Sequence, residues 1–213
     1  MMDVYQWHNE ITGKRVVEAL KKNHFDAIYC PDGETAVTEV MKFITPGAKV
    51  GFGGSVTTRD LKLPEKVLKA GAIVLDHQSA ELDADQKAQV RLQQLTCDVF
   101  ISGTNALTID GELVNVDGTG NRVAAMIYGP KKVVIVVGIN KVVADLDAAF
   151  DRIEQVASPM NNKRLARPNP CVKSGTCMDC EGGTRICNVY SILRKKPSST
   201  DTTVIVVGEA LGY

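Results

Sequence analysis

Residues 132–138 read Lys132-Val133-Val134-Ile135-Val136-Val137-Gly138. Five consecutive β-branched side chains favour extended backbone and leave no polar face to turn toward water. The run is far too short to cross a bilayer. A strand apolar on both sides needs cover on both sides, which is the interior of a parallel sheet. Residues 25–30, 48–52, 72–76 and 97–102 have the same character. Between these strands, residues 8–23, 35–44, 64–70, 81–95 and 145–156 read as helices. In 81–95, Leu82, Val90, Leu92 and Leu95 recur at helical spacing among charges. Alternation at this pace implies βαβ units with right-handed crossovers. The expected fold is α/β, a mostly parallel sheet with helices on both faces.

One stretch departs from that rhythm. Ala106-Leu107-Thr108-Ile109, then Asp110-Gly111, then Glu112-Leu113-Val114-Asn115 predicts a hairpin closed by a type I′ turn. After it comes Asp117-Gly118-Thr119-Gly120-Asn121, with residues 122–128 reading as a helix. Beyond Ala157 the periodic pattern lapses until two strands at 188–193 and 203–207. The division expected is an α/β core over 1–160, with residues 161–213 forming a cysteine-rich metal-binding segment and closing strands packed on that core.

The 213 residues carry 25 Lys and Arg against 25 Asp and Glu, a balance that excludes bulk attraction to nucleic acid or anionic membrane. The first residues hold no basic stretch leading into an apolar run, so no signal peptide is read and a cytoplasmic location is expected. Reduced thiols are then expected, not a disulfide framework. Cys30 and Cys97 close apolar runs and read as core. The other four cysteines are spaced Cys171-x5-Cys177-x2-Cys180-x6-Cys187, which core packing does not produce.

A Cys-x2-Cys chelate with two further thiols and flexible glycines (Gly175, Gly182, Gly183) is the pattern of a thiolate metal site. The segment has too few apolar residues to bury itself, and ligation would replace the missing core. Zinc sites favour paired Cys-x2-Cys knuckles. Here there is one pair, which favours an iron–sulfur cluster, [4Fe-4S], with zinc as the alternative.

Two loops read as anion sites at the carboxyl ends of strands, where open α/β sheets place ligands. In the first, Gly53 and Gly54 let backbone N–H groups converge, and Ser55 and Thr57 add hydroxyls. It matches neither the dinucleotide fingerprint nor a Walker loop. In the second, Asp117, Gly118, Thr119, Gly120 and Asn121 precede a helix, with Thr119 or Asn121 as its cap and Arg122 as a bidentate clamp. Lys141, after Gly138-Ile139-Asn140, is placed to reach an anion. Of the three isolated histidines, His77 at the end of a strand is the best placed for catalysis.

Taken together, Gly53-Gly54-Ser55, Asn105-Ala106-Leu107-Thr108, Asp110-Gly111, Val114-Asn115, the run from Asp117 to Ala124, Gly138-x-Asn140-Lys141 and Val207-Gly208-Glu209-x-Leu211-Gly212 resemble the lactate-utilisation (LUD) domain family over nearly the whole chain. The cysteine segment resembles that of single-domain members. The resemblance implies a ribose-5-phosphate isomerase/CoA-transferase-like fold, and a link to oxidation of L-lactate to pyruvate together with iron–sulfur partner proteins. It also places Asn105 at the ligand, where the related isomerases carry the Asp of Gly-Ala-Asp; here the stretch is Gly103-Thr104-Asn105. An amide cannot act as a carboxylate base, so that isomerase chemistry is not expected. The CoA-transferase glutamate has only remote counterparts in Glu112 and Glu209.

The expected protein is a redox enzyme or subunit holding a small carboxylate or phosphate at the two loops, with an iron–sulfur redox partner. The alternatives are a non-redox enzyme on a sugar phosphate or acyl compound with a structural zinc site, and a scaffold for a multisubunit complex. A homo-oligomer is compatible with the sequence.

Overall fold

The computed structural model describes residues 3–213. Along the chain run α1 (Val4–Lys22), β1 (Asp26–Cys30), α2 (Gly33–Met41), β2 (Lys49–Phe52), α3 (Val56–Asp60), α4 (Leu63–Lys69), β3 (Ile73–Leu75), α5 (Ala84–Gln94) and β4 (Val99–Ser102). Then come β5 (Ala106–Thr108), β6 (Leu113–Asp117), α6 (Asn121–Ile127), β7 (Lys132–Gly138), β8 (Val142–Val143), α7 (Leu146–Arg152), α8 (Ser158–Arg164), α9 (Cys171–Ser174), β9 (Val189–Leu193) and β10 (Asp201–Val207). Asp32, Asp83 and Asp145 start α2, α5 and α7 by accepting hydrogen bonds from backbone N–H groups three residues on.

The main sheet has six strands in the order β1-β10-β7-β4-β2-β3, and all its pairings are parallel. The expected α/β architecture is therefore the observed one. The apolar run 133–137 lies inside it. Val133, Ile135 and Val137 of β7 pack on one face with Val16, Val17 and Leu20 of α1 and with Met126 of α6. Val134 and Val136 pack on the other with Ala36 and Val40 of α2 and Leu63 and Val67 of α4. Each such fully buried side chain stabilises the fold by roughly 1.5–3 kcal/mol. Residues 203–207, expected as a closing strand, fall in β10, which lies between β1 and β7.

The hairpin feeds a second sheet, β8-β5-β6-β9. Its turn is not type I′, for only Gly111, at φ +81°, has positive φ. Gly111 N donates to Thr108 O at 2.9 Å, and Thr108 N to Glu112 O at 3.0 Å. This is a tight turn followed by a left-handed residue, a G1-bulge closure that needs one glycine instead of two such residues.

The helix expected to end near 156 instead runs on. After α7, residues 153–157 form a π-helical turn and α8 follows, with Pro159 in its first turn. Proline has no N–H to give the preceding turn, so the regular ladder is interrupted there while the chain keeps its direction. That continuation carries Ser158, Asn161 and Arg164 along one wall of the cleft described next. Among the described residues no helix is long and apolar enough to cross a membrane.

Candidate functional site

A cleft of about 460 Å³ opens at the carboxyl ends of β2, β3 and β4. It brings together both loops singled out in the sequence: Gly53, Gly54 and Ser55 on one side, and Asp117, Gly118, Thr119, Asn121 and Arg122 on the other, with Asn105 and Lys141 between them. Thr57 and Gly120 stand just behind this lining. The backbone of the first loop lies close against β4, since a β-carbon on Gly53 would come within 2.5 Å of Ser102 Oγ.

Arg122 does not act as the free clamp expected of it. Nη1 donates to Asn115 Oδ1 at 2.7 Å and to Gly103 O at 3.3 Å. Nη2 donates to Asn105 Oδ1 at 2.9 Å and to Val116 O at 2.8 Å, and Nε lies 3.5 Å from Asp117 Oδ2. The four terminal N–H groups thus have acceptors inside the protein, and Nε faces the Asp117 carboxylate. Burial pushes the guanidinium below its ordinary pKa, and Asp117 opposes that.

Asp117 also differs from expectation. Its carboxylate accepts from the backbone N–H groups of Thr119, Gly120 and Val123, each at 3.3 Å. The loop therefore carries its own anion at the start of α6, and Asp117 replaces Thr119 or Asn121 as the side chain capping that helix. Together Arg122 and Asp117 hold Asn105 in place. The Asn105 carbonyl oxygen is taken up by Arg122 and Val116 N, which leaves its amide nitrogen as the free end at the cleft.

Lys141 is only 3% exposed, whereas the usual lysine extends into water. Its Nζ donates to Thr57 Oγ1 at 2.8 Å. Burial, then the charges of Arg152 and Arg122, push its pKa down to about 7, against the pull of Asp60. His77 lines the same cleft, and burial followed by Arg91 lowers its pKa. Its Nδ1 lies 3.1 Å from the Gln94 amide nitrogen. That nitrogen also donates to Phe52 O at 2.9 Å and to Leu75 O at 2.8 Å, which takes up both of its hydrogens.

Sequence reasoning missed the rest of the cationic lining: Lys87 and Arg91 of α5, Arg164 of α8, and Arg167. The four-residue spacing of Lys87 and Arg91 was a signal for a shared helix face, but not for what that face meets.

One of the four spaced cysteines reaches the cleft. Cys171 is buried, and Cys177, Cys180 and Cys187 are partly buried. Burial raises the Cys171 pKa, and Cys187, Cys180 and Cys177 raise it further, so the thiols lie within electrostatic range of one another. Of the four, Cys187 lines the cleft; its thiol lies 3.4 Å from Ser158 Oγ.

The segment is tied down at several points. Cys177 N donates to Glu154 O, and Asn188 N to Asp117 O. Buried Asn169 bridges Asn162 and Thr184, and Ile186 packs on Gly118, where a β-carbon would meet it at 3.3 Å.

An all-thiol donor set suits an iron–sulfur cluster or zinc. Within the chelate pair, Asp179 N donates to Cys177 Sγ at 3.4 Å from a residue at φ +45°. This local fold turns an N–H toward sulfur and favours thiolate. The residues fit such a group by chemistry, although among the described residues no three His, Cys, Asp or Glu side chains stand in an arrangement that would hold a metal ion. Thiolates brought together without a cation repel, so a thiol set that binds an ion converges only with it. Cys30 and Cys97 are fully buried in the two cores, as expected.

A DUF162 family protein from Deinococcus radiodurans shares the fold at 13% identity and a TM-score of 0.54, with 93% of this chain and 98% of that one covered. Ribose 5-phosphate isomerase from Plasmodium falciparum matches at 16% identity and a TM-score of 0.35, over 53% of this chain and 52% of that one. A search of the curated proteins returns no significant match. The family described as LUD domain matches residues 13–207. With a match over nearly its whole length, the chain belongs to the LUD domain family.

Proposed function

We propose that this LUD protein is a redox enzyme or redox subunit linked to the use of lactate or a related hydroxy acid. In this reading it binds a small carboxylate in the cleft and an iron–sulfur cluster, [4Fe-4S], on Cys171, Cys177, Cys180 and Cys187. The observation that carries the reading is the position of Cys187, which belongs both to the thiol set and to the cleft wall. A cluster on those thiols supplies one-electron transfer when bound.

The chain's own residues supply recognition. Ser55, the Asn105 amide and Lys141 Nζ all present donors, which suits a carboxylate and a hydroxyl oxygen. With Arg122 committed to Asp117, Asn105 and Asn115, the loop positions ligand contacts and does not make the main one.

Purification under anaerobic conditions with iron, sulfide and zinc analysis tests this reading. Brown protein with iron and sulfide is expected; colourless protein with stoichiometric zinc contradicts it. That second outcome matches a non-redox enzyme acting on a sugar phosphate or acyl compound. It draws on a specific feature, since His77 and Lys141 are both held toward their neutral forms near pH 7 and neutral bases serve proton transfer.

A further inference from the structure

The cleft holds more positive charge than one carboxylate can offset. Lys141 lies at its floor, Lys87 and Arg91 are partly buried along its side, and Arg164 and Arg167 are exposed at its mouth. Among the described residues none of these five cations takes part in an ion pair. The carboxylate lining the cleft, Asp117, is already spent on Arg122. Arg91 Nε is buried and has no hydrogen-bond partner in the protein. Arg164 is held in position by neutral groups alone, Asn161 Oδ1 at 2.8 Å and the Tyr213 hydroxyl at 2.9 Å.

A chain with no net charge thus sets five unpaired cations along one concave surface, where low-dielectric walls concentrate the field. An unpaired buried guanidinium N–H is costly and calls for an acceptor. Guanidinium groups match phosphoryl oxygens in geometry, and a phosphomonoester brings about −1.5 to −2 of charge near neutral pH.

We infer that the ligand is a phosphorylated carboxylate, its carboxylate on the floor at Ser55 and Lys141 and its phosphoryl group on Arg91 of the side and Arg164 of the mouth. This inference rests on the carboxylate reading and sharpens its substrate class.

Calorimetric titration of the full chain with L-lactate and with 2-phospho-L-lactate tests it, because the two probes differ only by the phosphoryl group. At roughly tenfold for each cation engaged, the phosphorylated probe binds about 100-fold tighter. The gain shrinks as sodium chloride is raised. In the double variant Arg91→Gln/Arg164→Gln the phosphorylated probe loses its gain and the two affinities converge; an unaltered melting temperature establishes that the variant folds. Lactate binding with no gain from the phosphoryl group overturns this inference and leaves the carboxylate reading standing. A gain that survives the double variant also overturns it. Binding of neither probe overturns both.

Discussion

Replacing Lys141 with methionine keeps an unbranched side chain of similar length and removes a buried charge. Burial holds the Lys141 ammonium at about 7 in place of its ordinary 10.5. A base with a depressed folded pKa binds fewer protons folded than unfolded, so stability is lost as pH falls from about 10.5 to about 7 and is constant below. Linkage puts the penalty at about 2 kcal/mol at pH 9 and about 4 kcal/mol at pH 7. Against it stands the bond to Thr57, worth about 1 kcal/mol. Thr57 keeps a partner without Lys141, for its hydroxyl donates to Leu211 O at 3.2 Å. Lys141→Met therefore stabilises the chain by about 3 kcal/mol at pH 7 and about 1 kcal/mol at pH 9. In melting temperature the gain at pH 7 is roughly 6–12 °C for a chain of this size. Urea denaturation followed by circular dichroism at both pH values measures it. A variant less stable than the parent at pH 7, or a gap independent of pH, refutes the reasoning. The same variant loses carboxylate binding, the exchange of stability for function expected of a strained site.

Arg122→Met removes five donors at once and leaves Asp117 without its cation, so a loss of about 3–5 kcal/mol in urea denaturation is expected; a loss below 1 kcal/mol would show that the network is dispensable. Gly118→Leu drives a side chain into Ile186 and displaces the residue before Cys187, so metal content measured by mass spectrometry falls while the helical circular dichroism signal is kept. Cys180→Ala lowers the bound metal several-fold and Cys97→Ala leaves it unchanged; equal effects of the two substitutions would remove the distinction between ligand and core thiols.

The main sheet was legible because its strands are apolar on both sides, and β7 spans the predicted residues. Legibility failed where tertiary context overrides local pattern. The π-helical turn before Pro159 keeps a helix going where proline signals an end. Helices α3 and α9, of five and four residues, are too short to show any period. The loops and Lys141 were found by residue type, but their roles depend on distant partners. Arg122 is engaged by Asn105, in the loop before β5, and by Asn115 of β6, and no spacing rule encodes that. Arg91 and Arg164 carry no local signal that sets them apart from other surface cations, and it is the fold that brings α5 and α8 to one cleft.

The central claim is that the thiols of Cys171, Cys177, Cys180 and Cys187 hold a redox cluster beside the ligand. The visible spectrum of anaerobically purified, metal-loaded protein, recorded before and after adding L-lactate, tests it most directly. The account predicts broad sulfur-to-iron absorption that shifts when the ligand enters next to Cys187. Colourless protein, or an iron–sulfur spectrum unchanged by saturating ligand, contradicts it.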